Sequence, residues 1–97
     1  RTWTFRTAGV FDPDALPEML RRELPGDVYR CKGFVELTGS PPRRMLLQAV
    51  GRRSELTPAG PGRTMMTGSQ IVVIGADTMD PHQLRWLFEM CLATSPT

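Results

Sequence analysis

The chain has 97 residues, 40% of them hydrophobic and 23% charged. That balance excludes an intrinsically disordered chain and suits one domain rather than two. Twelve Lys and Arg against ten Asp and Glu leave a net charge of only +2, which makes no case for nucleic acid. The basic residues are eleven Arg and one Lys, Lys32.

The first segment, Thr2-Trp3-Thr4-Phe5-Arg6-Thr7, alternates polar and apolar, so it reads as a strand with Trp3 and Phe5 facing a core. Asp12-Pro13 opens a helix, because Asp12 can accept from the free amides of the first turn and Pro13 suits the first helical position. Leu16, Met19, Leu20 and Leu24 form its apolar stripe, with Glu18, Arg21 and Arg22 outward. Pro17 should distort the first turn, since it removes an amide donor and crowds the carbonyl of Pro13. Pro25-Gly26 ends the helix.

Residues 28–37 make a long strand. One face carries Tyr29, Cys31, Gly33, Val35 and Leu37, and the other carries Val28, Arg30, Lys32, Phe34 and Glu36. After a turn at Gly39-Ser40-Pro41-Pro42, residues 45–50 form a strand that is apolar on both faces apart from Gln48, which suggests a central position. A short strand at 53–57 follows a turn at Gly51. Residues 58–69 have no periodicity and read as a flexible loop. Residues 70–75 are a short buried strand.

Asp80-Pro81-His82-Gln83 repeats the helix-start pattern. Asp80 caps, Gln83 can close a capping box, and Leu84, Leu87, Phe88, Cys91 and Leu92 make the core stripe. The tail from Ala93 should fray. The order β-α-β-β-β-β-α with short turns predicts an α+β fold. It is a two-layer sandwich, a mostly antiparallel sheet of four to five strands with two helices on one face.

No window approaches a membrane span and none looks like a signal peptide. The two cysteines, Cys31 and Cys91, are 60 residues apart by their numbering, which matches no zinc motif and is too sparse for a disulfide scaffold. A reducing cytoplasm fits best. The chain opens at Arg1 with no initiator Met, as expected for a piece of something longer.

Motifs for chemistry are sparse. The loop Gly60-Pro61-Gly62-Arg63-Thr64 departs from a P-loop, with Thr57 where a Gly is needed and Arg63 where Lys is needed. Both cysteines lie on apolar faces, as structural thiols do. His82 starts a helix without Cys, Asp or Glu at ligand spacing. Paired carboxylates occur only at helix starts, Asp12 with Asp14 and Asp77 with Asp80, and capping accounts for three of the four. Arg43-Arg44 and Arg52-Arg53 flank a strand. They read either as solvated charges guarding an edge or as a basic edge for an anionic partner. An RNA-binding sheet would show aromatics on its open face, and only Phe34 is offered there.

The stretches FDPDALPEML (11–20), VYRCKGFVEL (28–37), RMLLQAVG (44–51) and IVVIGADTMDPHQLRWLFEMCL (71–92) together resemble the C-terminal domain of the CobW family of P-loop GTPases. The matching positions include Arg30, Lys32, Gly33 and Phe34, then Leu46, Leu47, Gln48, Val50 and Gly51, and later Val72, Ile74, Gly75, Cys91 and Leu92. The resemblance implies a parent that is a GTP-hydrolysing metallochaperone, delivering cobalt for cobalamin synthesis or zinc. GTP, Mg and Zn or Co would be bound by its N-terminal G domain. None of those motifs occurs in these residues, so the resemblance carries over no catalytic residue, no cofactor site and no metal ligand. It implies a non-catalytic accessory domain whose partners are its own G domain, a metalloenzyme or cobaltochelatase client, or a second copy in a homo-oligomer.

The alternative is a free-standing α+β module that binds RNA or a small anionic ligand through an Arg-rich edge. For a partner interface the sequence offers two sets, Arg30, Lys32 and Phe34 on one strand, and Trp86 with Met90. On a helical wheel that pair falls opposite the stripe begun by Leu84. Either the 58–69 loop, with Met65 and Met66, folds over the pair, or another domain or subunit packs there. We take the second reading.

Overall fold

Alternation and capping place seven elements along the chain. They are β1 (Thr2–Thr7), α1 (Ala15–Arg22), β2 (Val28–Leu37), β3 (Arg43–Val50), β4 (Arg53–Pro58), β5 (Ser69–Gly75) and α2 (Pro81–Glu89). The computed structural model describes residues 1–59 and 68–93. The expected flexible loop therefore lies mostly outside the described residues, as does the tail beyond Ala93. The five strands form one sheet in the order β1-β5-β2-β3-β4, and each neighbouring pair is antiparallel. Both helices supply buried side chains to one side of it, so the expected two-layer α+β sandwich is what forms.

Period-two alternation decides which side chains the helices cover. Phe5, Cys31, Val35, Leu47, Ala49, Ile71 and Val73 point to the helices and are buried with Leu16, Met19, Leu20, Leu84, Leu87 and Phe88. Phe5 anchors this layer, with its ring centroid 5.3 Å from Phe88 and 6.3 Å from Phe11. Gly33 belongs to the same face, and its missing side chain matters. A Cβ there would run into the Gln70 carbonyl of the neighbouring strand, so only glycine allows β2 and β5 to approach so closely.

Three local expectations need correction. The first concerns α1, which starts at Ala15, not Pro13. Asp12 still does the capping, its Oδ1 accepting from the amides of Asp14 at 2.8 Å and Ala15 at 3.0 Å. With the start moved, Pro17 becomes the third helical residue, whose amide has no intrahelical partner in any helix. The Leu16 amide donates to the Asp12 carbonyl and the Glu18 amide to the Asp14 carbonyl, each at 3.3 Å, so Pro17 omits only the bond to Pro13 between them.

The second is at the start of β2. The register between β2 and β5 slips between Val28 and Arg30. The extra residue of this bulge exchanges the faces, so Val28 is buried and Tyr29 is exposed, the reverse of simple alternation. The third concerns β3 and β5, which are apolar on both faces yet covered on only one. Val50 and Ile74 are 60% and 43% exposed.

The last helix forms as expected. Asp80 Oδ1 accepts from the His82 amide at 3.0 Å and Pro81 opens the helix. Gln83 adds no return bond to Asp80 among the described residues. Cys91 follows the helix end, buried against it.

Candidate functional site

The strand register assembles a surface that no single strand reveals. Across the uncovered side of the sheet, Arg6 pairs with Gln70, Gln70 with Phe34 and Phe34 with Leu46. One pair of positions along, Thr4, Val72, Lys32 and Gln48 stand side by side. Next come Thr2, Ile74, Arg30 and Val50. The sequence-assigned trio Arg30, Lys32 and Phe34 therefore sits in the middle of the sheet, on the face away from both helices.

Two hollows indent this face. One, about 600 Å³, is lined by Arg6, Lys32, Phe34, Arg44, Gln70 and Val72 among others. The other, about 470 Å³, is bounded by Arg30, Lys32, Gln48, Val50, Val72 and Ile74 among others. Lys32 and Val72 border both, which makes a single trough across the strands.

Hydrogen bonds fix part of its wall. Arg6 Nε donates to Gln70 Oε1 at 3.0 Å. The Arg44 guanidinium lies 5.5 Å above the Phe34 ring centre and 4.0 Å from a Glu36 carboxylate oxygen. Glu36 is tied further, accepting from the Gly68 amide at 2.5 Å, while its own amide donates to Ser69 Oγ at 2.9 Å.

Trp86 and Met90 lie elsewhere, in the last turn of α2 and just beyond its end, turned away from the core and 58% and 64% exposed. The structure therefore separates the expected interface residues into two sets on opposite layers, the trio on the sheet and the pair on the helix side. Met65 and Met66, the residues expected to cover the pair if the loop folded back, lie outside the described residues. Arg6, Val50, Val72 and Ile74 belong to the trough and were missed as site residues, whereas Arg44 was read only as part of a basic edge. Their signal was the second apolar or basic face of each strand, which only the pairing of distant strands turns into one surface. Arg43–Arg44 open β3 and Arg52–Arg53 lie past its far end, at the start of β4, so the two pairs do not share one edge.

Among the described residues the donor set does not fit a bound metal or an activated thiol nucleophile. Among the described residues no three His, Cys, Asp or Glu side chains gather as a metal set. Burial pushes the Cys31 thiol up to about 12. Burial does the same for Cys91, to about 11, assisted by the charges of Glu23 and Asp12. Both shifts run opposite to those of thiolate ligands and nucleophiles. Cys91 Sγ donates to the Leu87 carbonyl at 3.3 Å. His82 is exposed. Asp12 and Asp80 act as caps, whereas the Asp14 side chain makes no capping bond, so capping explains fewer carboxylates than expected.

The family model described as the cobalamin synthesis protein cobW C-terminal domain matches residues 1–92. The chain belongs to that family. Two solved structures share its fold. The Zn(II)-bound YjiA GTPase from E. coli is 22% identical with a TM-score of 0.72, over 93% of this chain and 29% of that one. A Zn(II)-bound triple mutant of YjiA GTPase is 23% identical with a TM-score of 0.71, again over 93% of this chain and 29% of that one. The CobW C-terminal domain described here thus spans less than a third of the length of those chains. A search of curated proteins found no match. No helix among the described residues is long and apolar enough to cross a membrane.

Proposed function

We propose that this chain is the non-catalytic accessory domain of a CobW-like, GTP-dependent metal chaperone that delivers cobalt or zinc, in cobalamin synthesis or in metal supply. Its work is contact. It packs on its own G domain, and through exposed surfaces it meets a metalloenzyme or cobaltochelatase client or a second subunit, in the cytoplasm. The observation that carries this reading is the family match across residues 1–92, on a fold shared with a segment of a Zn(II)-bound GTPase. The chemistry of the described side chains agrees, because the thiols are raised and Asp12 and Asp80 are taken up as caps. GTP, Mg and the delivered metal then belong to the parent's other domain.

Calorimetry of the 97-residue chain with Mg·GTP tests the division of labour. No saturable heat is expected, and micromolar binding would overturn it. Trp86→Ala tests the helix-side contact. The isolated chain should keep its melting temperature within about 2 °C, since an exposed side chain contributes little. Association with the separately expressed G domain, or self-association, should weaken by more than about 1 kcal/mol, as interface Trp truncations do. If the substitution unfolds the chain, Trp86 is core and the contact is wrong.

A further inference from the structure

The uncovered face of the sheet is neither a normal solvated surface nor a buried one. Arg6, Arg30, Lys32, Arg44 and Arg53 stand on it against Glu36 and Glu55. This one face therefore holds a positive excess although the chain as a whole is nearly neutral. Between the cations lie aliphatic side chains, Val72, Ile74 and Val50, the last two well exposed. An antiparallel sheet that merely faces water is polar on that side.

The charges are also unequally satisfied. Arg6 is held by Gln70, and Arg44 by Glu36 and the Phe34 ring. Arg30 and Lys32, at the centre of the trough, have no ion-pair or hydrogen-bond partner among the described residues.

We infer that this face docks an acidic, extended polypeptide segment whose carboxylates meet Arg30 and Lys32 while its aliphatic side chains lie on Val72, Ile74 and Val50. This rests on the reading of the chain as a contact domain and names the chemistry of one partner surface. Charge complementarity selects carboxylates, and the apolar floor selects a segment that also carries aliphatic residues. The four strands that line it, β1, β5, β2 and β3, spaced at about 4.8 Å, give the trough a span of roughly 14 Å, the length of about four extended residues. RNA shares the negative charge but needs free aromatic faces for its bases. Among the described residues that line the trough the one aromatic ring is Phe34, which already has the Arg44 guanidinium above it; exposed Tyr29 lies outside that lining.

Fluorescence anisotropy of the 97-residue chain tests this with a labelled Glu–Val peptide that repeats Glu-Glu-Val-Val over about eight residues, so that each face of the extended chain carries both residue types, its Lys–Val counterpart, and an oligouridylate of equal length. The Glu–Val peptide should bind saturably and the Lys–Val peptide should not. Affinity should fall roughly tenfold between about 50 and about 300 mM salt, as screening removes the ion pairs. The double variant R30E/K32E should weaken binding about tenfold or more. R21E/R22E, with the same charge change on the helix layer, should stay within about twofold. Should R30E/K32E fail to fold by circular dichroism, K32Q replaces it, with a loss of about threefold expected. No saturable binding of the acidic peptide, an equal loss in the helix-layer variant, or oligouridylate binding as tight as the peptide's would each overturn the inference. Failure here together with intact G-domain association would remove the acidic segment and leave the accessory-domain reading standing. GTP binding by the isolated chain would remove that reading instead.

Discussion

Strands β2 and β5 present two sets of side chains at the same spacing on the same backbone, and the sets meet opposite environments. Toward the helices Cys31, Val35, Ile71 and Val73 are at most 2% exposed. Away from them, Arg30, Lys32, Val72 and Ile74 line an open trough. The hydrogen-bond ladder is common to both, so it cannot account for the difference. What differs is the second layer. Where α1 and α2 cover the sheet, each methyl group removed from water contributes to stability. Where no described residue covers it, the same apolar side chains contribute little and are left for a partner. Substitutions that are equal in chemistry should therefore differ in cost according to which face they touch.

The largest effect is expected at the aromatic centre of the covered face. Phe88→Ala removes the ring stacked on Phe5 and should cost about 3–5 kcal/mol, a large share of a small domain's stability. Urea denaturation checks it, and a loss below about 1 kcal/mol would mean that the helix layer is not what holds the sheet. Gly33→Ala comes next. The added methyl group meets the Gln70 carbonyl, a rigid backbone atom that can move only by parting β2 from β5. A loss of roughly 2–4 kcal/mol is expected, comparable with other strain and overpacking mutations. A neutral result would show that the two strands lie farther apart at that point.

The thiols sharpen the comparison through pH. Cys31 rises from an ordinary 9.0 to about 12, so the folded chain keeps a neutral thiol where the unfolded chain ionises. A raised folded value means that the contribution is complete below pH 9 and is lost as pH climbs toward 12. Stability should fall across that window, and Cys31→Ala should flatten the fall. At pH 8, labelling of Cys31 and Cys91 should be slow until denaturant is added. Rapid labelling of native protein would contradict their burial.

How much of this was legible depends on the range of the interaction. α2 was readable residue by residue, because the Asp80–Pro81 cap and the Leu84–Leu87–Phe88 stripe are local. Trp86 and Met90 were readable for the same reason. The faces of β2 were readable from Cys31 onward but not at Tyr29, since the bulge arises from pairing with a strand more than forty positions away by number. The helix start moved from Pro13 to Ala15 because Asp12 caps through two amides beyond the proline, a choice that local preference leaves open. Of the trough, Arg30, Lys32 and Phe34 were legible as one strand face, but their neighbours across the sheet were not. The trough wall combines Arg6, Lys32 and Arg44 through the order β1-β5-β2-β3, and strand order is a property of the whole chain.

The smallest expected effect is the most discriminating, because it makes one chemical change on each face. Val35→Thr replaces a methyl group by a hydroxyl at a residue with no exposure. No water can reach that hydroxyl and the change should cost about 1–3 kcal/mol. Val50→Thr makes the same replacement on the uncovered face, where the side chain is 60% exposed. Thr keeps the β-branched shape that a strand favours, and its hydroxyl stays hydrated, so stability should change by less than about 0.5 kcal/mol. Paired urea titrations of the two variants measure the difference directly. Equal costs would mean that Val50 is covered in the folded chain, and the uncovered face would then have no room for a partner.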